Sequence, residues 1–195
     1  LMIERKFTAI DEDTLYRNIK MGWKLDPKQL NSLKYLTAWR YQKAKHRDLP
    51  LGFVVKDNTL MAVAKYNPSN ITSMNEIEGA EVLDIRHQGK AMLTVLKKAN
   101  EVALADFPEK IDRLDEHPGY KQIFKKVKVF VLQESENSGL SIENLASKKQ
   151  INQFLTWYFK LNRDHLLKVN VDILQGWRLT LFGEKLQLFA ANDFK

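Results

Sequence analysis

Leu30-Asn31-Ser32-Leu33-Lys34-Tyr35-Leu36-Thr37-Ala38-Trp39 puts a large apolar side chain at every third position, 30, 33, 36 and 39. That spacing draws one apolar stripe along a helix, whereas a strand would share its face between alternate residues. The same signature returns along the chain: Ala91, Val95 and Ala99 with Met92 and Leu96, then Phe124, Val127 and Val131. It continues through Ile151, Phe154, Leu155 and Tyr158, and ends in Leu179, Phe182, Leu186 and Phe189. Period-two alternation is nowhere sustained, and 8 glycines with 5 prolines in 195 residues are too few for a chain of many tight turns. The sequence predicts an all-α protein.

A shift of 91 positions lays Leu33, Leu36, Trp39, Leu49, Leu51, Val54, Leu60, Val63 and Tyr66 over Phe124, Val127, Phe130, Leu140, Ile142, Leu145, Ile151, Phe154 and Trp157. Every pair is apolar or aromatic while the intervening polar positions drift, which is the mark of a duplicated helical module. Between the copies, Asp106 to Gly119 holds two prolines, a Pro-Gly turn signal and an acidic cluster. The expected organisation is therefore 1–24 as a connection from an upstream domain, 25–104 as a first module, 105–117 as an acidic linker and 118–195 as a second module. Shorter helices are expected around Leu60 and Ile151, and a closing helix after Gly89 and after Gly176.

Composition removes several classes of function. The absence of cysteine excludes disulfides, thiol chemistry and cysteine-ligated metals, and suits a reducing cytoplasm. No apolar run approaches the ~20 residues of a membrane span, and the first residues, with Glu4, Arg5 and Lys6, do not read as a secretory signal. Lys and Arg number 31 against 24 Asp and Glu, a formal charge of +7 that favours polyanionic partners. Residues 25–104 carry 12 basic and 8 acidic side chains and 118–195 carry 12 and 7, while 105–117 carry 2 and 5.

Catalysis is not signalled. His46, His87, His117 and His165 are scattered with no paired spacing for a metal, and the acidic clusters Asp11-Glu12-Asp13 and Asp112, Asp115, Glu116 lie in polar surroundings. Glycine-rich phosphate loops and nucleophile elbows are lacking. Basic stripes are the stronger signal. Arg40, Lys43 and Arg47 fall on one helical face, as do Lys121, Lys125 and Lys128, with Lys126 adjacent. Ser147-Lys148-Lys149-Gln150 reads as a capping box, which sets Lys148 and Lys149 in a first helical turn, where cations oppose the dipole but suit a phosphate. The equivalent helix of the first module opens with Asp57. These eight basic residues are the expected nucleic-acid contacts.

Pro50-Leu51-Gly52-Phe53-Val54-Val55-Lys56-Asp57-Asn58-Thr59-Leu60-Met61-Ala62-Val63-Ala64-Lys65-Tyr66-Asn67-Pro68 resembles the signature of the HRDC domain, the helicase and RNase D C-terminal module. Arg86-His87-Gln88-Gly89-Lys90 looks like its Gly-headed last helix. With Leu145-Ala146-Ser147-Lys148-Lys149-Gln150-Ile151-Asn152-Gln153 and Gly176-Trp177-Arg178 in the second copy, the tandem looks like the C-terminal half of the bacterial ribonuclease D family. The second copy departs from the signature at Ser141 and Asn144, where the first has Pro50 and Phe53.

The resemblance implies two tandem HRDC-like helical bundles that help to hold RNA, tRNA precursors above all, for an upstream 3′-to-5′ exonuclease domain dependent on Mg²⁺ or Mn²⁺. That domain uses an Asp-x-Glu motif, a further Asp and a Tyr-x-x-x-Asp motif; Asp11-Glu12-Asp13 does not supply the first, and no tyrosine here has Asp four residues on. The fragment itself is expected to be no enzyme and to need no cofactor. The alternative is an intramolecular scaffold or protein-interaction module that positions the exonuclease domain and has little RNA affinity.

Overall fold

The computed structural model describes residues 10–162 and 171–195, which are helical with no strand among them. None of these helices is long and apolar enough to cross a membrane. The chain divides into two compact units, Leu1–Ile111 and Asp112–Lys195.

In the first unit, α1 (Pro27–Arg47) is opened by a reciprocal capping box between Asp26 and Gln29 with proline at its start, an arrangement that satisfies two otherwise orphaned amides. The stripe predicted from the sequence is its core face: Leu30, Leu33 and Leu36 are fully buried. Around it stand α2 (Leu51–Val54), α3 (Asp57–Tyr66), α4 (Ile71–Asn75) and α5 (Val82–Asn100). Leu60, Val63, Met74, Met92 and Leu96 complete the core. Asn31, buried in this apolar setting, donates to the Ala99 carbonyl over 2.8 Å and so ties α1 to the end of α5.

Two details differ from the sequence reading. Gly89 lies in the middle of α5 rather than at its head, because a Cβ there would stand 2.8 Å from Ile71 Cδ1, so glycine lets α4 come close. The stretch before α1 is also built into the unit. A 3-10 turn at Glu12–Asn18 packs along α1 and buries Tyr16, followed by Ile19 and Leu25 in the same core.

The second unit repeats the plan: α6 (Tyr120–Ser138), α7 (Ile142–Leu145), α8 (Lys148–Tyr158), and a closing segment of α9 (Gly176–Arg178), a π turn (Leu179–Gly183) and α10 (Glu184–Ala191). The offset of 91 carries α2 onto α7 end to end, and the starts of α3 and the end of α5 onto the start of α8 and the end of α10. Val127, Val131, Leu145, Phe154, Leu155, Phe182 and Leu186 form its core. The acidic stretch between the copies is anchored at two points, Ile111 packing on the first core and Leu114 on the second.

Candidate nucleic-acid interface

In the first unit, the C-terminal half of α1 and the N-terminal half of α5 enclose a cavity of about 480 Å³ lined by Lys43, Arg47, Phe53, Leu83, Asp84 and His87. Lys43 is held in place at both ends of its ammonium: its Nζ donates to Gln88 Oε1, a buried side chain of α5, and sits 5.3 Å from the Trp39 ring centroid. Burial, and then the neighbouring Arg47 charge, press the Lys43 pKa below the usual lysine value. Lys43 is half-buried and pairs with no carboxylate among the described residues, so a bound anion would supply its counter-ion. Arg47 and His87 are exposed beside it.

The one carboxylate on this cavity is occupied. Asp84 Oδ2 accepts from the Lys56 backbone N–H over 3.0 Å and from Thr59 Oγ1 over 2.7 Å. It thereby caps α3, whose own N-cap residue Lys56 offers no side-chain acceptor. On the rim, Phe53 is 79% exposed and Leu83 65%. Cations, an imidazole and an open aromatic face are what a phosphate and an unstacked base require.

Arg40 corrects the sequence reading. It is 4% exposed and donates to the Val55 carbonyl over 2.9 Å and to Asp57 Oδ1 over 2.7 Å, so its charge is spent inside the unit. It shares a face with Arg47, but the junction of α2 and α3 covers the helix at Arg40, and Arg47 lies clear of that junction. The register also explains why α3 opens with Asp57 and α8 with Lys148. Arg40 corresponds to Val131, fully buried and uncharged, so at that position the second unit presents no interior cation for an acidic residue to neutralise.

In the second unit Lys121, Lys125, Lys128, Lys148 and Lys149 are all exposed. The capping box is formed as read: Ser147 Oγ accepts from the Gln150 N–H, and Gln150 Oε1 from the Ser147 N–H over 2.9 Å. Lys128 and Lys148 meet at a cavity of about 530 Å³ with Phe124, Ile142, Glu143 and Ile151, and the other three lysines do not line it. Lys126 is turned to structure, donating to the Phe194 carbonyl over 3.0 Å.

Sequence reasoning missed Phe53 and His87. Phe53 sits in an apolar run that reads as core, and only the single-turn length of α2 turns it outward. It also missed Arg178, whose Nε and Nη2 donate to the Leu145 and Asn144 carbonyls over 2.9 Å each and close the end of α7. His165 lies outside the described residues. Among the described residues no group of three or more His, Asp or Glu could hold a metal ion. The divalent metal that the resemblance implies for an exonuclease domain therefore has no fitting donor set in them.

Comparison with known proteins adds the family. The model of the HRDC domain matches residues 29–96, and that of the ribonuclease D C-terminal HRDC domain matches residues 118–186. Ribonuclease D of Cronobacter turicensis is 35% identical over 192 residues, covering 98% of this chain and 51% of that protein. Ribonuclease D of Escherichia coli K12 is 34% identical over 186 residues, covering 95% and 48%. The crystal structure of Escherichia coli RNase D, described as an exoribonuclease involved in structured RNA processing, matches with a TM-score of 0.86 at 32% identity over 97% of this chain and 49% of that one. The chain thus spans about half the length of the curated relatives it matches.

Proposed function

Two domains of the HRDC family make up this chain, the second of the type found at the C-terminus of ribonuclease D, and on that premise we propose that it is the RNA-holding accessory region of a cytoplasmic 3′-to-5′ exoribonuclease. The observation that carries the reading is the first unit's cavity, where the half-buried Lys43 and the exposed Arg47 and His87 stand beside a Phe53 ring that is 79% exposed. Phosphates pair with the cations and an unstacked base lies on the ring, so that single-stranded 3′ regions, such as those of tRNA precursors, are held without base-specific readout. In the second unit, taken by itself, the exposed Lys121, Lys148 and Lys149 offer further phosphate contacts. Trimming itself belongs to a metal-dependent exonuclease domain outside this chain.

Titration of a labelled single-stranded RNA at two salt concentrations tests this. Lys43→Ala and Arg47→Ala should each weaken binding and lower the log–log salt slope by about 0.7, the counterion release per phosphate contact on a single strand. Phe53→Ala should weaken binding by about 1–3 kcal/mol at an unchanged slope, since stacking releases no counterion. Equal behaviour of all three variants would reject the assignment of ring to base and cations to phosphate.

A further inference from the structure

The internal repeat lets each unit serve as a template for the other, and they differ in one surface. In the first unit the turn Glu12–Asn18 lies along α1. Asp13 pairs with Lys34 Nζ at 3.1 Å and Glu12 accepts from Gln42 Nε2. Leu15, Asn18 and Ile19 form one wall of a cavity whose other wall includes Thr37, Leu51 and Gly52. The offset of 91 takes Lys34 to Lys125 and Gln42 to Gln133, so the two residues that hold the acidic pair recur. It takes Thr37, Leu51 and Gly52 to Lys128, Ile142 and Glu143, which line the 530 Å³ cavity of the second unit.

Nothing comparable covers that second surface among the described residues. The turn Leu114–Glu116, which precedes α6, packs on α6 and α8 and leaves Val129, Leu132 and Leu140 exposed at 54%, 46% and 40%. The α1 counterparts of Val129 and Leu132, Ala38 and Tyr41, are half-buried. Leu33 is fully buried, but its counterpart Phe124 is only partly so. Lys125 and Lys128 are exposed and form no ion pair among the described residues.

We propose that this face of α6 and α7 is a docking site for a segment of a partner protein with the chemistry of residues 11–19: an acidic pair, apolar residues three and seven positions on, and a hydrogen-bond donor or cation between them. The acidic pair meets Lys125 and Gln133, with Lys128 adding a second cation. The apolar residues cover Val129, Leu132, Phe124 and Ile142. Asn18 shares its cavity with Gly52, and because Glu143 stands at the Gly52 position, the groove accepts a donor there and repels an anion. Lys128, Lys148 and Glu143 line one cavity together with the apolar Phe124, Ile142 and Ile151, so the groove carries charge of both signs beside apolar surface, which a mixed-charge amphipathic peptide matches better than a uniformly anionic nucleic acid.

The probe is a synthetic peptide of residues 10–20, blocked at both ends, labelled and titrated into the full chain, whose own turn fills the first unit's site. Saturable binding is expected, mapped by amide shifts to α6 and α7. Val129→Glu and Leu132→Glu, both surface changes, should each weaken it about tenfold. Glu12→Lys with Asp13→Lys in the peptide should abolish it, and Asn18→Lys in the peptide should tighten it in a manner that Glu143→Gln removes. No saturation up to about 1 mM peptide, or shifts confined to the first unit, would overturn the proposal. So would RNA binding that is lost in Val129→Glu and Leu132→Glu, or a concentration-dependent dimer that the same variants dissociate, since the face would then belong to RNA or to a second copy.

Discussion

At the scale of single residues, the two units solve one packing problem with opposite chemistry. The end of the one-turn helix α2 must meet α1, and there the first unit buries the Arg40 guanidinium, its side chain 5% exposed, against the Val55 carbonyl and the half-exposed Asp57. The second unit buries Val131 at the same register position and closes α7 with Arg178 from another helix. A buried cation left without its partner costs more than the pair gains. Asp57→Ala should therefore destabilise the chain by about 1–2 kcal/mol, the lower part of the range for charged hydrogen bonds because water reaches the Asp57 side. Urea unfolding measures the loss, and hydrogen exchange should place it in α1 and α3. Lys43 offers a second expectation, set by sign. Its folded pKa is lowered, so as pH rises the folded chain releases this proton before the unfolded chain does, and Lys43 contributes a gain in stability through that alkaline window. An amine-selective reagent should accordingly modify Lys43 at lower pH in the folded chain than in the urea-unfolded chain, and bound oligonucleotide should restore its pKa and suppress the reaction. Identical pH profiles for Lys43 in the folded and unfolded chain would contradict this.

At the scale of elements, α8 is the clearest test of what a helix start contributes. Its capping box satisfies the first amides through Ser147 and Gln150, yet Lys148 and Lys149 place two cations where the helix dipole disfavours them. Replacing both with alanine should raise stability by a few tenths of a kcal/mol, while RNA affinity falls and the salt slope drops by about 0.7 per lost contact. Stability and binding moving in opposite directions is the expected signature; unchanged binding would leave both lysines as surface residues. That capping box was legible in the sequence because it depends on four consecutive residues. So were the buried stripes of α1, α6 and α8, because a helix of ten or more residues repeats its face several times. One-turn helices repeat nothing, so the exposure of Phe53 on α2 could not be read. Nor could the burial of Arg40, whose neighbours Val55 and Asp57 follow 15 and 17 residues later. Gly89 shows the same limit, its role resting on contact with Ile71 from another helix.

At the scale of the whole chain, the duplication was visible because a core constrains apolar positions throughout a module, and the structure keeps the same register even at exposed pairs such as Leu49 with Leu140 and Tyr66 with Trp157. Function was less legible for the same reason. Surface cations are free to drift, so the basic stripes located two faces without revealing that the first carries an exposed aromatic ring beside a half-buried lysine and the second exposed apolar side chains. The charge of +7 gives the chain a general attraction for polyanions, but attraction is not hydrolysis. Cleavage of a phosphodiester by two metal ions needs carboxylates converging on metals ~4 Å apart, and no set of three or more donors among the described residues could hold even one. The chain alone should therefore bind RNA and release no nucleotides with Mg²⁺ or Mn²⁺, read by end-labelled RNA on a denaturing gel after a long incubation. The control for contamination is the Lys43→Ala, Arg47→Ala double variant purified in parallel. Metal-dependent trimming by the parent chain that the variant lacks would show a catalytic site within these 195 residues, and trimming that persists equally in both would mark a co-purifying nuclease.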